Sequence, residues 1–249
     1  MKKVFILVLL IFVALIVYQY RTQSVDTMGV KESKADTLEE LSLTLSPVEQ
    51  VMDYPDAMLE LYQPSDGQSL NKGKVDFTFN VKNFIFGAQQ ANGLKISLNG
   101  QAPKLYRNTE VQLSLSEGQY TLFAYLTDQN GIGLKEYGNY LARDFAVGVP
   151  AQPLSTPILI INLPEDGAVI SPNQSFIIDA YTARDELASG DALLEVQIGS
   201  QRLVMNGHAP YQLDGLPVGE YEISFRLLNT RQEPIAGDYT ATKRRISIR

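Results

Sequence analysis

The string Leu115-Ser-Glu-Gly118-Gln-Tyr120 returns 101 residues later as Leu216-Pro-Val-Gly219-Glu-Tyr221. Other echoes accompany it. Pro64-x-Asp66-Gly67 falls on Pro164-x-Asp166-Gly167, and LKISLNG at 94–100 falls on LEVQIGS at 194–200. Leu113 meets Leu213, while Phe145 and Val147 meet Ile246 and Ile248. A chain of 249 residues that repeats itself at an offset of 99–101 contains one module written twice. Any fold assigned to one half must therefore suit the other, and two such modules fit the usual size of small domains.

Within each copy apolar residues recur at every second position. Val75, Phe77, Phe79 and Val81 form one such run, Leu94, Ile96 and Leu98 a second, and Tyr120, Leu122, Ala124 and Leu126 a third. Period two is the signature of a strand with one buried face. Asn99-Gly100 and Gly199-Ser200 each close a run, and both dipeptides tolerate the positive φ angles of tight hairpin turns. The spacing predicts seven strands in the first copy, near 58–63, 75–82, 93–98, 103–107, 110–115, 119–127 and 140–148. It predicts counterparts near 158–163, 174–181, 193–198, 201–206, 210–213, 220–228 and 241–248. Seven short strands per copy, with turn signals every 8–12 residues or about that, describe a two-layer sandwich.

A tyrosine opening the sixth strand, just behind a glycine-containing turn, can return its hydroxyl to upstream backbone. That is the tyrosine corner of immunoglobulin-like sandwiches. Tyr120 and Tyr221 stand there, behind Gly118 and Gly219, with Leu115 and Leu216 entering the core before the turn. On these residues both copies resemble immunoglobulin-like or fibronectin type III-like modules of bacterial cell-envelope proteins, over residues 58–148 and 155–249. The resemblance implies a fold and no single activity, because this architecture hosts many unrelated roles. The chain has no Trp and no Cys, so the antibody-type Cys…Trp…Cys core is absent and the fibronectin-like or generic bacterial variant fits better. The expected fold class is all-β: two tandem immunoglobulin-like β-sandwiches preceded by a single N-terminal transmembrane helix.

That helix is expected because Lys2 and Lys3 precede an unbroken apolar run from Val4 to Val17, followed by Tyr18, Tyr20 and Arg21. Fourteen helical residues span about 21 Å, short of a hydrocarbon layer of roughly 30 Å. Interfacial tyrosines and snorkelling cationic side chains extend the reach. Residues 4–20 are thus expected to enter a membrane, with 1–21 acting as an uncleaved signal-anchor. A cleaved signal peptide is the alternative, but YQYRTQS at 18–24 offers no good small-residue cleavage site. The lysines favour a cytoplasmic start, which places the rest outside the inner or cytoplasmic membrane, periplasmic or extracellular.

Residues 22–57 carry a net charge of −6 and read as an acidic tether. The competing reading is a short docking helix capped by Thr37 with Glu40. GVPAQPLSTP at 148–157 holds three prolines, so 149–157 reads as a semi-rigid joint. It favours modules held apart over a compact pair. The modules themselves are set at 58–148 and 158–249.

The net charge of −7 disfavours nucleic acid as a partner. With no cysteine and one histidine, His208, disulfides, thiolate metal sites and Cys-His pairs are excluded. His208 lies in the turn MNGHAP without any nucleophile setting. Asp66 and Asp166 recur at one position per copy, each before a glycine, which is turn chemistry and not a carboxylate pair. ARDELASGDALLE at 183–195 lacks the ligand spacing of a calcium loop and reads as a solvated loop. NGIGLKEYG at 130–138 lacks the context of a phosphate loop. No catalytic residue, metal or cofactor is expected, and the chain reads as non-enzymatic. KRRISIR at 243–249 reads as charged protection of a sheet edge, with contact to an acidic partner as the alternative.

Candidate binding residues come from two loops at one end of the first sandwich. Phe84, Ile85 and Phe86 lie in NFIFGAQQANG, where the second copy has the polar TARDELASGDA; Ile132, Leu134, Tyr137 and Tyr140 lie in the loop after the sixth strand. Together they form either an apolar docking tip or a plug that closes the end of the core. The expected role is an accessory or scaffold subunit that binds another envelope protein through sheet edges or this tip. The alternative is a carbohydrate or cell-surface binding module, with aromatic loop residues stacked on sugar rings of a polysaccharide.

Overall fold

The computed structural model describes residues 42–49, 54–87, 91–172, 174–183 and 193–249. The expected membrane segment at 4–20 and most of the expected tether lie outside them. Among the described residues every regular element is a strand, and no helix is long and apolar enough to cross a membrane.

The first module contains β2 (Met58–Gln63), β3 (Gln68–Leu70), β4 (Gly73–Lys82), β5 (Gly93–Leu98), β6 (Lys104–Tyr106), β7 (Glu110–Leu115), β8 (Gly118–Thr127) and β9 (Tyr140–Val147). One sheet has the order β2-β4-β7 and the other β3-β9-β8-β5-β6. The second module contains β10 (Ile158–Leu163), β11 (Ala168–Ile170), β12 (Phe176–Ala183), β13 (Leu193–Ile198), β14 (Gln201–Asn206), β15 (Tyr211–Asp214), β16 (Gly219–Leu228) and β17 (Ala241–Ile248). Its sheets run β15-β12-β10 and β11-β17-β16-β13-β14. The two copies share one topology, as their sequence echo requires.

Two features go beyond the sequence reading. After a register shift near its end, the first strand of each module crosses to the opposite sheet as β3 or β11, pairing parallel with the last strand. Asp66 and Asp166 set that crossing: their Oδ1 atoms accept the backbone N–H of Asp144 at 2.9 Å and of Arg245 at 2.8 Å. Second, β1 (Thr44–Pro47) falls inside the stretch read as tether, yet it pairs antiparallel with β15 of the second module. The alternation Leu43-x-Leu45 explains it, since both leucines pack against that module's core.

Each sandwich closes over its own apolar interior. Phe77, Leu94, Leu122, Leu126 and Phe145 fill the first, with the rings of Phe77 and Phe145 edge-on at 5.7 Å. Leu159, Val196, Ile198, Leu213, Ile223 and Phe225 fill the second. Each fully buried side chain of this kind contributes about 1.5–3 kcal/mol. The hydroxyl of Tyr120 donates to the Ser116 carbonyl at 2.8 Å, and that of Tyr221 to the Pro217 carbonyl at 2.9 Å, so both tyrosine corners are formed. Asn99 and Gly100 both hold positive φ in the β5–β6 hairpin. Sheet order and corners together make both modules immunoglobulin-like or fibronectin type III-like sandwiches.

Candidate functional site

Three strands depart from simple alternation. β8 reads Leu122-Phe-Ala-Tyr-Leu126, β10 reads Ile158-Leu-Ile-Ile161, and β12 carries Ala180-Tyr-Thr-Ala183. A strand that is apolar on successive residues must bury both faces. Leu122, Ala124 and Leu126 line the first core, while Phe123 and Tyr125 point the other way. Leu159 and Ile161 line the second core, while Ile158 and Ile160 turn outward. These outward sets meet. Phe123, Tyr125, Ile158, Ile160, Tyr181 and Ala183 form a third apolar cluster between the modules. The Tyr181 ring lies 4.5 Å from that of Tyr125, 5.2 Å from Phe123 and 5.5 Å from Tyr140.

The expectation of modules held apart by the proline joint is therefore corrected. The joint itself is pinned to the first module: Gln119 Nε2 donates to the Pro150 carbonyl at 2.7 Å, and the Ala151 N–H to Ser69 Oγ at 2.9 Å. Proline stiffens a segment but says nothing about the faces that the segment brings together.

A polar network is sealed into this joint. Asp179, fully buried on β12, accepts the Gly133 N–H at 2.8 Å and Asn162 Nδ2 at 2.6 Å, and pairs with Lys135 at 2.6 Å. Lys135 also donates to the Ala180 carbonyl at 2.6 Å and lies 3.3 Å from the centroid of the Tyr181 ring. Asn162 Oδ1 accepts Lys95 at 2.8 Å and the Tyr125 hydroxyl at 2.9 Å, and Tyr181 donates to the Leu134 carbonyl at 2.9 Å. Burial, then the negative charge of Asp179, pushes the phenols of Tyr125 and Tyr181 well above their ordinary range. Burial lowers Lys135, with Asp179 pulling the other way. Gly133 is required by close approach: a Cβ there would stand 2.3 Å from the Tyr181 hydroxyl.

The expected tip is largely spent on these contacts. Ile132 and Leu134 are buried, Leu134 in the first core, because Asp128 Oδ1 accepts the N–H groups of Asn130 and Ile132 and folds the loop inward. Tyr140 packs into the cluster between the modules. Phe84 and Phe86 pack against the first core, in a ring chain from Tyr54 through Phe84 at 4.6 Å to Phe86 at 5.3 Å. Ile85, 74% exposed, and Tyr137, fully exposed, remain on the surface. Lys243 and Arg245 of the basic terminus face Glu222, whereas Arg244 is buried, which lowers its pKa. The sequence signal for the joint is the loss of alternation in β8, β10 and β12, where apolar residues occupy both faces of the strand.

No protein-family model matches the chain, and no curated protein matches it in sequence. Among solved structures it is similar to the fibronectin(III)-like modules of Clostridium thermocellum CbhA, at 14% identity over 77% of this chain and 94% of that one, TM-score 0.30. It is similar to the FN1–FN3 domains of chicken CNTN1 at 13% identity over 74% and 67%, TM-score 0.24. The Escherichia coli adhesin FdeC matches at 11% identity over 82% of this chain and 66% of that one, TM-score 0.24. At these scores the fold assignment rests on sheet order and the tyrosine corners.

Proposed function

We propose that the chain is a non-catalytic accessory or scaffold subunit, held at the cell envelope by its N-terminal apolar segment, that presents two coupled sandwiches to a protein partner. The observation that supports it is where the ionisable groups went. Among the described residues Lys95, Lys135, Asp179, Tyr125 and Tyr181 gather between the modules, where their hydrogen bonds and ion pair tie one module to the other. A pair of sandwiches in contact offers sheet edges and loop ends, the groups used in strand addition and loop contacts. The apolar run at 4–17, with its flanking lysines, supports anchoring with the modules outside the membrane.

The test is crosslinking in intact cells followed by identification of the captured species. The expected result is an envelope protein joined to the modules; capture of polysaccharide alone would overturn the reading in favour of a carbohydrate-binding role.

A further inference from the structure

The duplicated modules differ at one edge. In the second, β1 lies along β15, with Leu45 opposite Leu213 and Ser46 opposite Gln212, and the Val48 N–H bonds the Pro210 carbonyl at 3.0 Å. Leu43 and Leu45 close the gap between the two sheets, and Leu213 and Ile198 are buried beneath them. The corresponding strand of the first module is β7, and among the described residues nothing pairs along its outer side. There a cleft of about 250 Å³ opens between β6 and β7, its floor formed by Ile96, Leu98, Tyr106, Leu113 and Leu115 and its rim by the polar Gln101, Lys104 and Ser114. Leu98 and Leu113, the counterparts of Ile198 and Leu213, are only partly buried.

Backbone direction agrees. The Phe79 N–H bonds the Thr109 carbonyl at 2.8 Å, which fixes the ladder phase between β4 and β7. The N–H and C=O groups of Gln112 and Ser114 therefore face outward, as those of Gln212 and Asp214 face β1.

We propose that this edge is a strand-addition site for a partner protein: an extended segment with Leu-type residues at alternate positions, paired antiparallel to β7 and seating two side chains in the cleft. The chain displays the fitting ligand itself, in Leu43-Thr44-Leu45. That segment is engaged on β15, which leaves no strand among the described residues to cover the outer side of β7, and the occupant assigned here is a segment of another protein. The proposal rests on the protein-binding role above and gives it a location and a ligand chemistry.

The probe is the labelled heptapeptide Ser-Leu-Thr-Leu-Ser-Pro-Val, the sequence of residues 42–48, titrated onto the full chain in detergent and followed by fluorescence anisotropy. Gln112→Pro removes an outward N–H, which edge strands tolerate, and the exposed bond from Gln112 Nε2 to Asp76 Oδ1 at 2.7 Å, so the fold should persist by far-UV circular dichroism. Ser114→Pro is the second variant, should the first misfold. Binding to the wild type, weakened roughly tenfold or more by either proline and by replacing both peptide leucines with serine, supports the site. Equal binding to wild type and a folded proline variant overturns it, as does absence of binding up to about 1 mM. Self-association of the wild type, lost in the variant, would replace the partner by a second copy and so overturn the assignment. If Gln112→Pro still crosslinks in cells to the same protein as the wild type, the edge assignment falls while the scaffold role stands; if neither captures a protein, the role itself falls.

Discussion

Truncating Asp179 to alanine tests the joint between the modules most sharply. The carboxylate is fully buried and serves three partners: Lys135 at 2.6 Å, Asn162 Nδ2 at 2.6 Å and the Gly133 N–H at 2.8 Å. Its removal strands an ammonium whose side chain is only 12% exposed. Breaking one partner out of a buried ion pair costs about 3–5 kcal/mol, mostly the penalty of an uncompensated charge. We expect Asp179→Ala to lose about that much in guanidinium unfolding followed by tyrosine fluorescence. We also expect the wild type to unfold in one transition and the variant in two, as each sandwich keeps its core but loses its neighbour. Adding Lys135→Met removes the stranded charge and should restore about 2 kcal/mol or more, since replacing both members of a buried pair is far milder than removing one. A loss below about 1 kcal/mol, the worth of an exposed ion pair, would refute the argument, and so would a double variant no more stable than the single.

Gly133→Ala should cost about 1–3 kcal/mol in the same assay, because its Cβ collides with a Tyr181 ring enclosed on all sides; a neutral effect would mean that the ring can move. Tyr125 and Tyr181 have folded-state pKa values raised above the ordinary phenol, so their contribution is present below about pH 10 and is lost as pH rises beyond it. The lowered pKa of Lys135 opposes this by favouring the fold as pH climbs toward its ordinary value. Absorbance near 295 nm should show two of the 13 tyrosines ionising only with alkaline unfolding; uniform titration with a native far-UV spectrum would contradict this. Tyr120→Phe and Tyr221→Phe should each cost about 1 kcal/mol by removing the corner hydrogen bond, read as a lowered Tm. Phe86→Asp should destabilise the first module by about 1–3 kcal/mol, whereas Ile85→Asp and Tyr137→Asp stay within about 0.5 kcal/mol; the reverse order would restore a docking tip.

The sequence by itself determined the strands and their duplication. Side chains alternate across a pleated strand whatever lies beyond it, so period-two runs such as 75–81 and 94–98 mark a buried face locally, and the Gly118-x-Tyr120 and Gly219-x-Tyr221 corners bond only four residues upstream. Only the tertiary structure decided where the second faces went. That Phe123, Tyr125 and Tyr140 meet Tyr181, that Asp179 receives Lys135, and that Leu43 and Leu45 cross to β15 depend on pairing segments far apart in the chain. Local periodicity shows that a surface must be covered, but the choice of cover follows from complementary shape and buried charge, which arise only after both modules have folded.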